Sequence, residues 1–132
     1  MTTNRIEFQY DKANDIVIAT ANWHVKTPAD VETWAAQYTS YFARFAGRKV
    51  DVIFVLQEFR VDARVGAIWG ESRAEIVRTH TRYSYRVGFH GAAKTYTFTS
   101  GIRYAASSAV ADTIEQAIQE ILRHRREEPA PQ

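Results

Sequence analysis

The chain has no cysteine, only three prolines and six glycines in 132 residues, and no apolar run approaching the ~18 residues that a membrane-spanning helix needs. Without cysteine there are no disulfides, no thiolate nucleophile and no cysteine metal site, which fits a reducing compartment. The scarcity of glycine and proline excludes collagen-like and low-complexity architectures. An excess of one charge is missing too: 17 basic residues face 15 acidic ones, for a net +2. Bulk charge therefore argues only weakly for nucleic acid as a partner. The opening Met1-Thr2-Thr3-Asn4-Arg5 lacks the apolar core of a signal peptide, so a soluble cytoplasmic protein is expected.

What is present is globular. The chain is 45% hydrophobic, 13% aromatic and 24% charged, and its length suits one core, a single domain over residues 1–126. The polar, proline-bearing stretch 127–132 is expected to be a flexible tail. The most telling segment is Lys49-Val50-Asp51-Val52-Ile53-Phe54-Val55-Leu56, a short β-branched apolar run. Such a run reads as a strand covered on both faces at the centre of a largely parallel sheet.

Around it the pattern alternates between periods of two and of 3.6. Ile6, Phe8 and Tyr10 alternate with polar residues. Asp11-Lys12-Ala13-Asn14-Asp15 then supplies turn chemistry before Ile16-Val17-Ile18-Ala19-Thr20-Ala21, which gives an opening hairpin. Thr27-Pro28-Ala29-Asp30 offers an N-cap, a first-turn proline and a first-turn carboxylate. Val31, Trp34, Ala35, Tyr38, Phe42 and Phe45 follow at helical spacing up to a stop at Gly47. A second helix is expected from about Asp62 to His80, with Val65, Ile68, Trp69, Ser72 and Ile76 on its inner side. Its Gly66 and Gly70 imply close packing or ligand approach. Tyr83, Tyr85, Val87 and Phe89 form a fourth strand, and Thr113–Leu122 a strong closing helix. Between them, a helix from about Tyr96 to Ala106 and a short strand at Ala109–Ala111 continue the alternation, although Tyr96 and Phe98 between threonines also alternate like a strand.

This order, β-β-α-β-α-β-α-β-α, resembles the STAS-like domains, and among them the small stand-alone SpoIIAA-like proteins related to bacterial anti-sigma-factor antagonists. The most specific element is Val110-Ala111-Asp112-Thr113-Ile114-Glu115-Gln116-Ala117-Ile118, similar to the short final strand and capped last helix of that group. The resemblance implies an α/β fold with a mixed, largely parallel sheet of about five strands and helices mainly on one face. It also implies bacterial signalling through protein contacts or small-ligand binding rather than catalysis. In the phosphorylatable antagonists a serine or threonine opens the helix after the central strand. Here that stretch reads Phe59-Arg60-Val61-Asp62-Ala63-Arg64-Val65, without a hydroxyl. The phosphoswitch does not carry over, and Asp62 reads as an N-cap rather than a mimic of phosphate.

Motif chemistry is sparse. His24, His80, His90 and His124 show no i, i+4 pairing, and only His24, Glu58 and His90 could converge, at strand exits. Gly88-Phe89-His90-Gly91-Ala92-Ala93-Lys94 lacks the spacing of a phosphate loop and reads as a turn. Arg73, Arg78, Arg82 and Arg86 with Tyr83 and Tyr85 imitate a basic–aromatic patch, but a solvated face is the preferred reading. No catalytic set, metal site or cofactor is expected.

The expectation is thus a non-enzymatic interaction module that meets a protein partner, or a second copy of itself, through Glu58, Arg60, Asp62, Arg64 and an exposed Trp69. The alternative is a binder of a lipid or aromatic molecule in a pocket between helices and sheet, near Trp23, His24, Gly66, Trp69 and His90. Neither reading involves a membrane.

Overall fold

The computed structural model describes residues 5–88 and 109–128. Strands β1 (Arg5–Asp11) and β2 (Ile16–Val25) form the opening hairpin, and α1 (Pro28–Phe42) follows, extended by a 3-10 turn over Ala43–Phe45. The central run is β3 (Val50–Val55), and a three-residue strand β4 (Phe59–Val61) comes next. A 3-10 turn at Ala63–Val65 leads into α2 (Gly66–His80), then β5 (Thr81–Val87), β6 (Ala109–Ala111) and α3 (Ile114–Glu127). The sheet order is β1-β2-β3-β5-β6, with β1 antiparallel to β2 and the other pairs parallel. The expected mixed, largely parallel sheet is the one observed. Its additional element is β4, which pairs parallel with the far end of β2. The helix expected near Tyr96–Ala106 lies outside the described residues.

β3 is the middle strand, and all six of its residues are buried. Its alternate faces meet two different cores, as the pleat requires. Val50, Val52 and Phe54 join Val17, Ala19, Trp34, Tyr38 and Trp69 under α1 and α2. Ile53 and Val55 join Ile16, Tyr85, Val87, Ala117 and Ile121 under α3. Two of the three described helices therefore cover one face and the third covers the other.

Local signals explain the boundaries. Thr27 caps α1 by accepting from Asp30 N at 3.1 Å, and the Asp30 carboxylate accepts from Thr27 N at 3.2 Å. This reciprocal pair satisfies two of the donors that a helix start leaves open. Beyond α1, Ala46 and Gly47 take φ of 52° and 85°, the left-handed turn that suits glycine best. Tyr41 lies off the main stripe of α1 in sequence, yet it is buried because its ring stacks on Phe8 of β1 at 4.1 Å.

The buried charge in β3 has no counterpart in the sequence reading. Asp51, 3% exposed, accepts from Arg125 at 2.8 and 2.6 Å, from Arg82 at 3.2 Å twice, and from Tyr83 N at 2.9 Å. Arg125 also donates to the carbonyls of Asn14 and Asp15 at 2.6 and 2.9 Å, fastening α3 to the hairpin turn. Removing one member of such a buried set strands the others, a loss of several kcal/mol. Asp51→Asn is therefore expected to lower stability by about 3 kcal/mol in urea titration, because Arg82 is partly exposed and screened. Lys12→Ala at the exposed hairpin tip should change it by less than about 0.5 kcal/mol.

Candidate functional site

The segment after β3 is built as sheet. Trp23, His24 and Val25 of β2 lie in register with Phe59, Arg60 and Val61, and Asp62 N donates to Val25 O at 2.8 Å. Phe59 and Val61 turn inward and Arg60 outward, the alternation of a half-buried strand. Phe59 packs at a tilt against Trp69 and Trp34, with ring centroids 5.4 and 6.3 Å away, so an aromatic floor supports the segment. At its beginning Gln57 passes close to Gly88, whose φ is 62° and where an added Cβ would run into the Gln57 side chain.

Four of the five residues expected at a partner surface lie together here. Glu58, Arg60 and Arg64 are exposed and Asp62 is half-buried. Asp62 caps the 3-10 turn, accepting from Arg64 N at 2.9 Å, and its carboxylate pairs with the Arg64 guanidinium at 2.9 Å. Glu58 and Arg60 form no ion pair among the described residues. The fifth, Trp69, departs from expectation: it is 1% exposed and packed between Phe59 and Trp34, so it is no surface anchor. The apolar residue that α2 presents is Ile68, 47% exposed. The inner stripe of α2 is rotated from the expected one and runs through Trp69, Arg73, Ile76 and Val77.

Ile68 stands in an open groove of about 750 Å³ between α1 and α2, whose rim carries Glu32, Glu71 and Glu75. Arg78 on the same rim pairs with Glu75 at 2.7 Å. Exposed apolar surface framed by carboxylates marks this flank as different from the paired, self-satisfied face around Asp51.

Among the described residues, those expected at a ligand pocket divide between the two faces of the sheet. Trp23, Gly66 and Trp69 are buried on the α1/α2 side, whereas half-buried His24 falls between Trp23 and Val25 and so takes the opposite face of β2. His90 lies outside the described residues, and with it the convergence of His24, Glu58 and His90. A cavity under α2 measures about 20 Å³, and among the described residues Trp69 is the expected pocket residue that lines it. A void of that size holds one or two water-sized bodies, not a lipid chain.

The remaining histidines pack. His80 stacks on Phe42 at 5.1 Å, and burial lowers its pKa. His124 stacks on Tyr83 at 5.1 Å and hydrogen-bonds the Tyr85 hydroxyl at 2.7 Å, which docks α3. No group of three or more acidic or histidine side chains among the described residues could hold a metal ion. The basic–aromatic patch imagined along Arg73–Arg86 does not form, nor do its arginines share a solvated face. Arg78 is on the outer rim, Arg82 pairs with Asp51, and Arg73 and Arg86 border the cavity.

The hydrogen bonds from Arg64 hold the Asp62 carboxyl down at about 2. Because its folded value lies below the ordinary one, the cap stabilises fully above the usual carboxylate range and is lost only as pH falls through about 2. Following the Asp62 carboxyl carbon by NMR should show this low titration. Arg64→Ala should move it upward toward the ordinary range; an unmoved midpoint would disprove the assignment.

No family model matches the chain, and no curated protein matches it. Among solved structures it is similar to the anti-sigma factor antagonist SpoIIAA in its unphosphorylated form, at 15% sequence identity and a TM-score of 0.50. That similarity covers 94% of this chain and 100% of the other. A likeness at this level of identity establishes the fold: the chain has the SpoIIAA-like α/β architecture.

Proposed function

We propose that this protein is a non-enzymatic regulatory module that binds another protein through the β4 edge and the groove between α1 and α2. The observation that carries the reading is the pairing of β4 with β2, which holds Arg60 outward on the His24 side of the sheet with exposed Glu58 two residues before it, while exposed Ile68 stands on α2. Arg60 and Glu58 are charges without an intramolecular ion pair among the described residues, and therefore open to an intermolecular one. Ile68 supplies the apolar contact that buried Trp69 cannot. The acidic rim of Glu32 and Glu71 favours a partner segment that is apolar with basic flanks. The fold shared with SpoIIAA, whose name is that of an anti-sigma factor antagonist, accords with signalling by protein contact. The cytoplasmic, bacterial setting belongs to the same proposal.

Tagged wild-type protein should retain a partner that is identifiable by mass spectrometry and then measurable as a purified pair. Arg60→Glu and Ile68→Asp are each expected to weaken that pair about tenfold or more, the scale of an interface hot spot, with an unchanged melting temperature. Affinity unchanged from the wild type in both variants would sink the reading. Sedimentation of the protein alone separates the case in which the partner is a second copy of this chain.

A further inference from the structure

Two helical faces wall the groove between α1 and α2. On α1 its lining runs from Pro28 through Val31 and Ala35 to Thr39, and on α2 from Ile68 through Ser72 to Ile76, steps of three and four residues that keep to one side of each helix. The α1 wall is therefore about 17 Å long, the rise of three helical turns. Val31 and Ile76 are buried at its floor, Ala35 and Ser72 are small and half-buried, and Ile68 is exposed. The small pair keeps the middle of the groove open.

The charge on its margins is one-sided. Glu75 is engaged by Arg78 at 2.7 Å and by the Thr79 hydroxyl at 3.2 Å, whereas exposed Glu32 and Glu71 form no ion pair among the described residues. A visitor gains by bringing lysine or arginine to those two carboxylates, and an acidic one is repelled. The walls also decide the visitor's conformation. Past the first turn, the N–H groups of α1 and α2 are bonded within each helix, so the groove offers no ladder of main-chain donors and acceptors. An extended segment laid there would bury its own N–H and C=O groups unpaired. A helix arrives with those groups already bonded and needs only an apolar stripe.

We propose that the groove receives an amphipathic helix of about three turns from a partner protein, apolar on the side that meets Val31, Ala35 and Ile68 and basic along the margins that meet Glu32 and Glu71. This rests on the reading that the protein binds another protein through this flank, and names the form of the segment that is bound.

Two synthetic peptides of one leucine, lysine and alanine composition are titrated into nitrogen-15-labelled protein and followed by NMR. One places its leucines at helical spacing and the other alternates them as in a strand. The helical peptide should shift the amides of Ala35, Thr39, Ile68 and Ser72 and gain helicity by circular dichroism on binding. Its affinity should fall about tenfold or more in Ile68→Asp, and comparably in the double variant Glu32→Lys, Glu71→Lys, whose binding should also lose its salt dependence. All three positions are exposed, so the variants keep the fold, and an unchanged melting temperature checks it. Equal or tighter binding of the alternating peptide, indifference to these substitutions, or self-association of the protein that Ile68→Asp abolishes would each overturn the proposal. If the helical peptide does not bind while Ile68→Asp still weakens the natural pair, the helix is refuted and the partner reading stands. If Ile68→Asp and Arg60→Glu both leave that pair unchanged, the reading itself falls.

Discussion

The carboxylate of Asp51 organises one half of this molecule. A negative charge in the middle strand of a sheet is tolerated only when fully paired and hydrogen-bonded. Arg82, Arg125 and Tyr83 N meet that demand from β5 and α3. Since Arg125 reaches past Asp51 to the carbonyls of Asn14 and Asp15, the start of β3, the start of β5, the hairpin turn and the last turns of α3 close on one point. Helix α3 carries few buried residues, chiefly Ala117 and Ile121, so this polar fastening supplements a thin apolar contact. Arg48 adds an exposed pair to Asp15 at 2.9 Å, whose value in water is small.

The opposite face works by a different principle. Under α1 and α2 the packing is aromatic: Trp34, Tyr38, Phe59 and Trp69 lie within 4.9 to 6.3 Å of one another along the chain of contacts. Such offset and edge contacts fix side-chain orientation as well as burying area. They also leave the polar tips of Trp34, Tyr38 and Trp69 inside, with no hydrogen bond among the described residues. One sheet thus separates a side fastened by the ion pairs of Asp51 from one packed by aromatic rings.

Much of this was legible locally. The run 50–56 identified the middle strand because both faces of β3 are covered, so no polar alternation interrupts it. Thr27-Pro28-Ala29-Asp30 announced the start of α1 through chemistry that needs no tertiary context. β4 was not legible, since three residues show only one inward–outward–inward step, and its pairing depends on how far β2 extends. The orientation of α2 was misjudged because Ile68 reads as core and Arg73 as surface. The spacing Trp69, Arg73, Ile76, Val77 was the available signal, hidden by the charge at its second position. The ion pair between Asp51 and Arg125 joins residues 74 positions apart and leaves no trace in any short window.

In the proposed function, the shape of β2 governs what kind of recognition the β4 edge can perform. One ten-residue strand serves two successive parallel neighbours, β3 for its first half and β4 for its end. The segment that would otherwise be a wandering connection is thereby stiffened before any encounter. Little chain entropy remains to be surrendered on association, so a visitor must fit the edge as it stands and gains nothing from moulding it.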